Sequence, residues 1–110
     1  MELELWTREA ADLQPLLPRA DAWEDDGGEL HFEGDGWLVT VFPPEEDDEV
    51  PADLSSLVDG LRYWVLVTVE PGDPGPEAQA FVHEILDAVG GRLGGAAVDP
   101  DSGRSSVWPP

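Results

Sequence analysis

The segment Leu61–Asp101 constrains the fold most, because it contains the longest strand pattern of the chain followed by its clearest helix pattern. Residues 61–70 are rich in β-branched and aromatic side chains, which favour a strand. Alternation along that strand places one set of side chains on the face that we predict to be core: Leu61, Tyr63, Val65, Val67 and Val69. Prolines and glycines at 71–76 end the strand, because proline lacks a backbone donor and glycine favours turns.

An amphipathic helix is predicted to follow this turn. Its apolar residues recur at three- and four-residue spacing, which aligns them in one stripe: Ala78, Phe81, Val82, Ile85, Leu86 and Val89. Gly90-Gly91 predicts a left-handed stop of the helix, Ala96–Val98 a short strand, and Asp99–Gly103 a turn.

The rest of the chain predicts shorter elements. Residues 2–6 alternate between polar and apolar as a half-buried strand does, and 29–33 with 36–42 are typical of a hairpin. Two prolines interrupt an apolar stripe within 7–20, so we expect an irregular helix there. Residues 52–59 predict a short helix that a glycine ends.

The resulting order is strand, helix, strand, strand, short helix, strand, helix, strand. It predicts an α+β fold, with a mostly antiparallel sheet, helices packed on one face, and a split βαβ arrangement. The length of 110 residues suits a single domain, 1–110, whose tail at 104–110 adds an edge strand or frays. The second sheet face would then be open and would carry Glu2, Glu4, Trp6, His31, Trp64 and Leu66. Such a surface is typical of an interface, unless the tail or a loop covers it.

Charge is the extreme feature of the composition. The chain has 25 acidic residues against 5 arginines, no lysine, and a formal net charge of −20. This charge repels nucleic acid and anionic membranes and attracts basic partners. Solubility or adaptation to a salty cytoplasm would account for the same charge, because net charge bears on association rather than on fold. The like charges at 45–49 repel one another, which predicts a mobile acidic loop over 43–51.

The sequence offers little for catalysis or metal binding. It has no cysteine, no phosphate-binding loop, no nucleophile motif, no apolar run of membrane-spanning length and no leader pattern. His83 and Asp87 have the spacing of a zinc-protease helix without a third ligand, and Asp99-Pro100-Asp101 begins like a calcium loop that lacks its closing glutamate. We therefore expect a cytoplasmic protein that is not an enzyme, with no catalytic residue, no metal site and no cofactor.

Four motifs follow one another within 61–101: Val69-Glu70-Pro71 at a strand end, Phe81–Val89 in a helix, Gly90-Gly91 after it, and Val98-Asp99-Pro100 after a short strand. This succession resembles a pattern of small bacterial immunity-type proteins, which neutralise toxins. The resemblance implies an acidic antidote that binds a basic toxin and blocks its active site, and it implies no particular contact residue.

We therefore expect a protein-binding module, most sharply an immunity protein against a basic toxin, with no nucleic acid or membrane as partner. Aromatic and apolar residues would supply affinity and the acidic run would steer the partner, through Trp6, His31, Trp64, Leu66, Glu45, Glu46, Asp47, Asp48 and Glu49. One alternative is a nucleic-acid mimic, which requires carboxylates in spaced rows on one face. Another is a housekeeping domain whose acidity is salt adaptation.

Overall fold

A computed structural model describes residues 1–72, 75–98 and 105–108 of the chain. The strands are β1 (Glu2–Thr7), β2 (Glu24–Asp26), β3 (Glu29–Glu33), β4 (Leu38–Val41), β5 (Glu45–Glu46), β6 (Tyr63–Glu70), β7 (Gly95–Val98) and β8 (Ser105–Trp108). The helices are α1 (Ala52–Ser55) and α2 (Pro76–Leu93), and two 3-10 turns cover Gln14–Leu16 and Ala20–Ala22. The predicted turn at Asp99–Gly103 lies outside the described residues.

The strands form one antiparallel sheet in the order β2-β3-β4-β6-β1-β7-β8, with β5 also paired to β6. Because β1 runs antiparallel to both β6 and β7, these two strands run parallel to each other on either side of it. Helix α2 connects β6 to β7 along the chain. The unit β6-α2-β7 is therefore a βαβ unit split by β1, and the predicted α+β class with an antiparallel, split-βαβ sheet is confirmed.

The first face of the sheet carries the main hydrophobic core. Leu5, Val39, Val65 and Val67 point to this face from β1, β4 and β6, and each is at most 1% exposed. Helix α2 covers them with its apolar stripe: Ala78, Phe81, Val82, Ile85, Leu86 and Val89. Burial of a large apolar side chain contributes about 1.5–3 kcal/mol relative to exposure, so this layer supplies most of the stabilisation.

The segment between β1 and β2 differs from the predicted irregular helix. Thr7 is the last residue of β1, and its Oγ1 donates to the carbonyl of Glu9 at 2.9 Å. Two 3-10 turns follow, because the prolines of this segment remove backbone donors that an α-helix needs. The apolar residues Leu13, Leu17 and Trp23 nevertheless reach the first-face core.

Helix α2 runs through the predicted stop at Gly90-Gly91 and ends at Leu93. The stop lies at Gly94, which has a φ of 72° and donates its N–H to the carbonyl of Gly90 at 2.8 Å. Gly90 instead provides room, because a Cβ there would lie 2.5 Å from Cδ2 of Trp108 in the edge strand β8. The local sequence could not reveal this role, since the contact joins the helix to the tail.

Helix α1 packs on the second face of the sheet, opposite α2. Trp6 and Ala96, which are paired across β1 and β7, meet Leu54, Val58 and Leu61 in a second hydrophobic cluster. Leu61 precedes β6 and belongs to this cluster rather than to the first-face core. The expectation that helices share one face thus fits α2 but not α1, because the apolar surface at Trp6 also needs cover from water.

The acidic segment 43–51, predicted to be a mobile loop, is tethered to the sheet over part of its length. Strands β4 and β5 pair with the same strand, β6, and two prolines between them interrupt the ladder because they cannot donate. The N–H of Asp47 extends the pairing to the carbonyl of Arg62 at 2.8 Å. Backbone pairing leaves the carboxylates free to face water, so their repulsion does not prevent it.

Candidate functional site

The part of the second face that α1 leaves uncovered carries a dense set of carboxylates, here called the acidic face. Directly paired residues of neighbouring strands share a face. By this pairing and by alternation along each strand, the acidic face comprises Glu2, Glu4, Glu24, Asp26, Glu29, Glu33, Glu45 and Glu70. The described strands contain no arginine or lysine, so no basic side chain of the sheet itself offsets these charges.

A row of polar residues crosses this face from β2 to β1. Successive strands contribute Glu24, His31, Thr40, Thr68 and Glu2. In the middle of the row, Nδ1 of His31 lies 3.0 Å from Oγ1 of Thr40, within hydrogen-bonding distance. With a strand spacing of about 4.8 Å, the two terminal glutamates lie about 19 Å apart. The row is acidic at both ends and has the width of a protein contact rather than of a small ligand.

A cavity of about 330 Å³, here called the acid-rimmed pocket, lies between the acidic face and α1. Exposed carboxylates surround its mouth: Glu2, Glu4 and Asp53. Apolar side chains form its walls and floor: Trp6, Pro51, Leu54, Leu66 and Val98. An apolar cavity with a few polar groups at defined positions is the common form of a ligand site.

Trp6, which lines this pocket, carries an unsatisfied hydrogen-bond donor. The residue is 4% exposed, and its ring centroid lies 6.4 Å from that of Trp64. Its Nε1 is buried and has no acceptor among the described residues. Most buried donors have a partner, and a missing one costs about 1–3 kcal/mol. Because this nitrogen is closed to solvent, a partner that binds at the surface does not reach it in this conformation.

The predicted contact residues Trp6, Trp64, Leu66 and His31 lie on one face of the sheet, but the structure brings only three of them together. Trp6 and Leu66 line the acid-rimmed pocket, and the half-buried Trp64 packs beside Trp6. His31 lies on β3, two strands from β6, in a separate hollow that Glu24 also lines. Because Trp6 is almost fully buried, it forms the floor of a site and not an exposed anchor.

The acidic run at 45–49 divides into two parts. Glu45 belongs to the acidic face, whereas Oε1 of Glu46 lies 3.3 Å from Nη2 of Arg62 in an exposed ion pair. Residues 47–49 leave the strand in a turn, where the carboxylate of Asp47 accepts the N–H of Glu49 at 2.9 Å. Only the first residue of the run therefore contributes to the acidic face.

Sequence reasoning missed Asp53, Leu54 and Val98, which complete the acid-rimmed pocket. The first two lie on α1, for which the sequence predicts a place beside α2, and Val98 lies at the end of β7. The available signal was the alternation of residues 2–6, which placed Glu2 and Glu4 on the side opposite the core. Nothing in that alternation indicated which segment would pack next to them.

Other features of the described residues add no second site. No group of three or more histidine, aspartate or glutamate residues there could hold a metal ion, and no helix among them is long and apolar enough to cross a membrane. In the zinc-like pair on α2, Asp87 accepts the indole N–H of Trp108 at 3.1 Å. Comparison with known proteins gives no match to a family model, to a curated protein or to a solved structure.

Proposed function

We propose that this protein is a non-enzymatic module that binds a basic protein through its acidic face. The observation that carries the proposal is the gathering of carboxylates on one side of a sheet whose described strands contain no arginine or lysine. Repulsion among like charges lowers the stability of a compact chain. A basic partner offsets that repulsion, and the same field steers it toward the surface and raises the association rate.

Immunity to a basic toxin is the sharpest form of this proposal. The segment that resembles immunity-type proteins forms β6, α2 and β7. Two of these elements contribute to the candidate site, since β6 carries Leu66 and Glu70 and β7 carries Val98. An antidote of this kind acts by covering the active site of the toxin, which requires a broad surface and no chemistry of its own.

A nucleic-acid mimic is the second candidate. The carboxylates lie at regular strand positions on one face, and Glu2 and Glu4 are about 7 Å apart along β1. Against this candidate, the half-buried Leu38 and Leu66 stand among the acids of the same face. Apolar side chains and an apolar pocket have no counterpart in a phosphate backbone, so the face suits a protein partner better.

The test compares two variants of equal net charge. One carries Glu2→Gln and Glu4→Gln on the acidic face, and its control carries Glu77→Gln and Glu84→Gln on the exposed side of α2. Proteins that the natural sequence retains from a lysate at about 150 mM salt are identified, purified and titrated by calorimetry. We expect one stoichiometric basic partner, whose Kd rises about two- to fivefold for each carboxylate lost from the face and not for the control.

Three other outcomes would contradict the proposal. The absence of any stoichiometric basic partner would favour salt adaptation, which failure to fold at low salt would support. Equal weakening by both variants would show that net charge alone attracts the partner. Displacement of the partner by duplex DNA would identify a nucleic-acid mimic instead.

A further inference from the structure

We propose that the acid-rimmed pocket receives one arginine side chain of the basic partner. This inference rests on the proposed function and deepens it, because it names the contact that anchors the partner. It is carried by the composition of the pocket and by the free carboxylates at its mouth.

The composition of the pocket matches an arginine along its whole length. Leu66 and Val98 offer an apolar wall to the methylene stem, while the carboxylates of Glu2, Glu4 and Asp53 stand at the mouth. A guanidinium is weakly hydrated and planar, so it tolerates apolar neighbours better than an ammonium does and binds carboxylates through paired hydrogen bonds. An anionic ligand would be repelled, and a purely apolar one would leave the carboxylates unused.

The carboxylates at the mouth are available for this contact. Within the described part of the chain the ion pair is that of Arg62 with Glu46, so neither Glu2, Glu4 nor Asp53 is neutralised by a basic side chain there. The apolar floor beneath them keeps water from one side of the site. Arginine is among the residues that most often anchor protein interfaces.

The test uses short peptides and the full chain, observed by two-dimensional ¹H–¹⁵N NMR at about 150 mM salt to suppress diffuse attraction. The probe is acetyl-Gly-Arg-Gly-amide. Its controls replace arginine by citrulline, which keeps the shape without the charge, or by lysine. We expect the arginine peptide to shift the indole signal of Trp6 and the amide signals of Leu66 and Val98. The lysine peptide should shift them less, and the citrulline peptide should leave them unchanged.

Three variants then locate the contact. Glu4→Gln should weaken binding of the arginine peptide about two- to fivefold, as expected for one exposed ion pair. Glu33→Gln removes an equal charge from the same face on β3, three strands from β1, and should leave binding unchanged. Leu66→Phe fills the cavity without changing the charge and should abolish the shifts. Circular dichroism verifies that each variant is folded.

Several results would overturn the arginine assignment. These are no shift, an equal shift with the citrulline or lysine peptide, or shifts spread evenly over the acidic residues. Shifts at the pocket that appear on raising the protein concentration without peptide would assign it to a second copy of the chain. If a basic partner is captured but Leu66→Phe leaves its affinity unchanged, this inference fails while the proposed function stands. If the peptide binds in the pocket and no basic partner exists, the proposed function fails instead.

Discussion

The neighbouring residues Gly90 and Gly91 test how helix α2 fits the tail strand β8. Both lie in α2, so replacement of either by alanine gains the same helix propensity, about 0.5–1 kcal/mol. Their surroundings differ. A Cβ at Gly91 has nothing within 4 Å, whereas a Cβ at Gly90 would lie 2.5 Å from Cδ2 and 2.7 Å from Cε3 of Trp108. The pair therefore isolates the contact between the helix and the tryptophan.

The two variants are expected to change stability in opposite directions. Gly91→Ala should raise the free energy of unfolding by about 0.5–1 kcal/mol. Gly90→Ala must displace the ring of Trp108, and overpacking of this kind costs about 1–3 kcal/mol, more than the propensity gain. The displacement also strains the hydrogen bond from Trp108 Nε1 to Asp87, which measures 3.1 Å. A net loss of about 1 kcal/mol is expected, obtained as the difference of these ranges.

Urea unfolding followed by far-ultraviolet circular dichroism measures both free energies. A double-mutant cycle gives the control: in a Trp108→Ala background the clash is absent, so Gly90→Ala should become stabilising, as Gly91→Ala is. If Gly90→Ala stabilises the natural chain as much as Gly91→Ala does, Trp108 does not pack on the helix and the reasoning is refuted.

Three further predictions concern packing and charge. Gly95→Ala should lower the free energy of unfolding by about 2 kcal/mol or more, because its Cβ would clash with the backbone oxygen of Trp6. Gly72→Ala, whose Cβ would have nothing within 4 Å, should be nearly neutral in the same urea assay. Leu54→Ala should lower the free energy of unfolding by about 2–5 kcal/mol, since Leu54 is 2% exposed. Leu57→Ala, at 52% exposure, should change it by no more than about 0.5 kcal/mol. Equal effects of the two variants would contradict the packing of α1. Added sodium chloride should raise the urea midpoint by screening the carboxylates, and a midpoint independent of salt would show that their repulsion does not limit stability.

The sequence alone was sufficient for the elements whose pattern is complete within a short window. The stripe of α2, the alternation of β6 and the hairpin of β3 with β4 each depend on neighbours along the chain, so periodicity predicts them. The same local rule placed Glu2 and Glu4 on the side of β1 opposite its buried leucines. The excess of acidic residues, which also needs no structure, predicts a basic partner.

Only the tertiary structure decided what meets on the second face. The acid-rimmed pocket joins Glu4 of β1, Asp53 of α1 and Val98 of β7, which are distant in sequence. Whether α1 lies on one face or the other depends on which apolar surface remains exposed after α2 has packed. Strand β5 forms because β6 has backbone groups free beyond the end of β4. Gly90 likewise has the pattern of a helix stop until Trp108 lies against it. These outcomes depend on contacts between segments far apart in the chain, and local propensity contains no information about them.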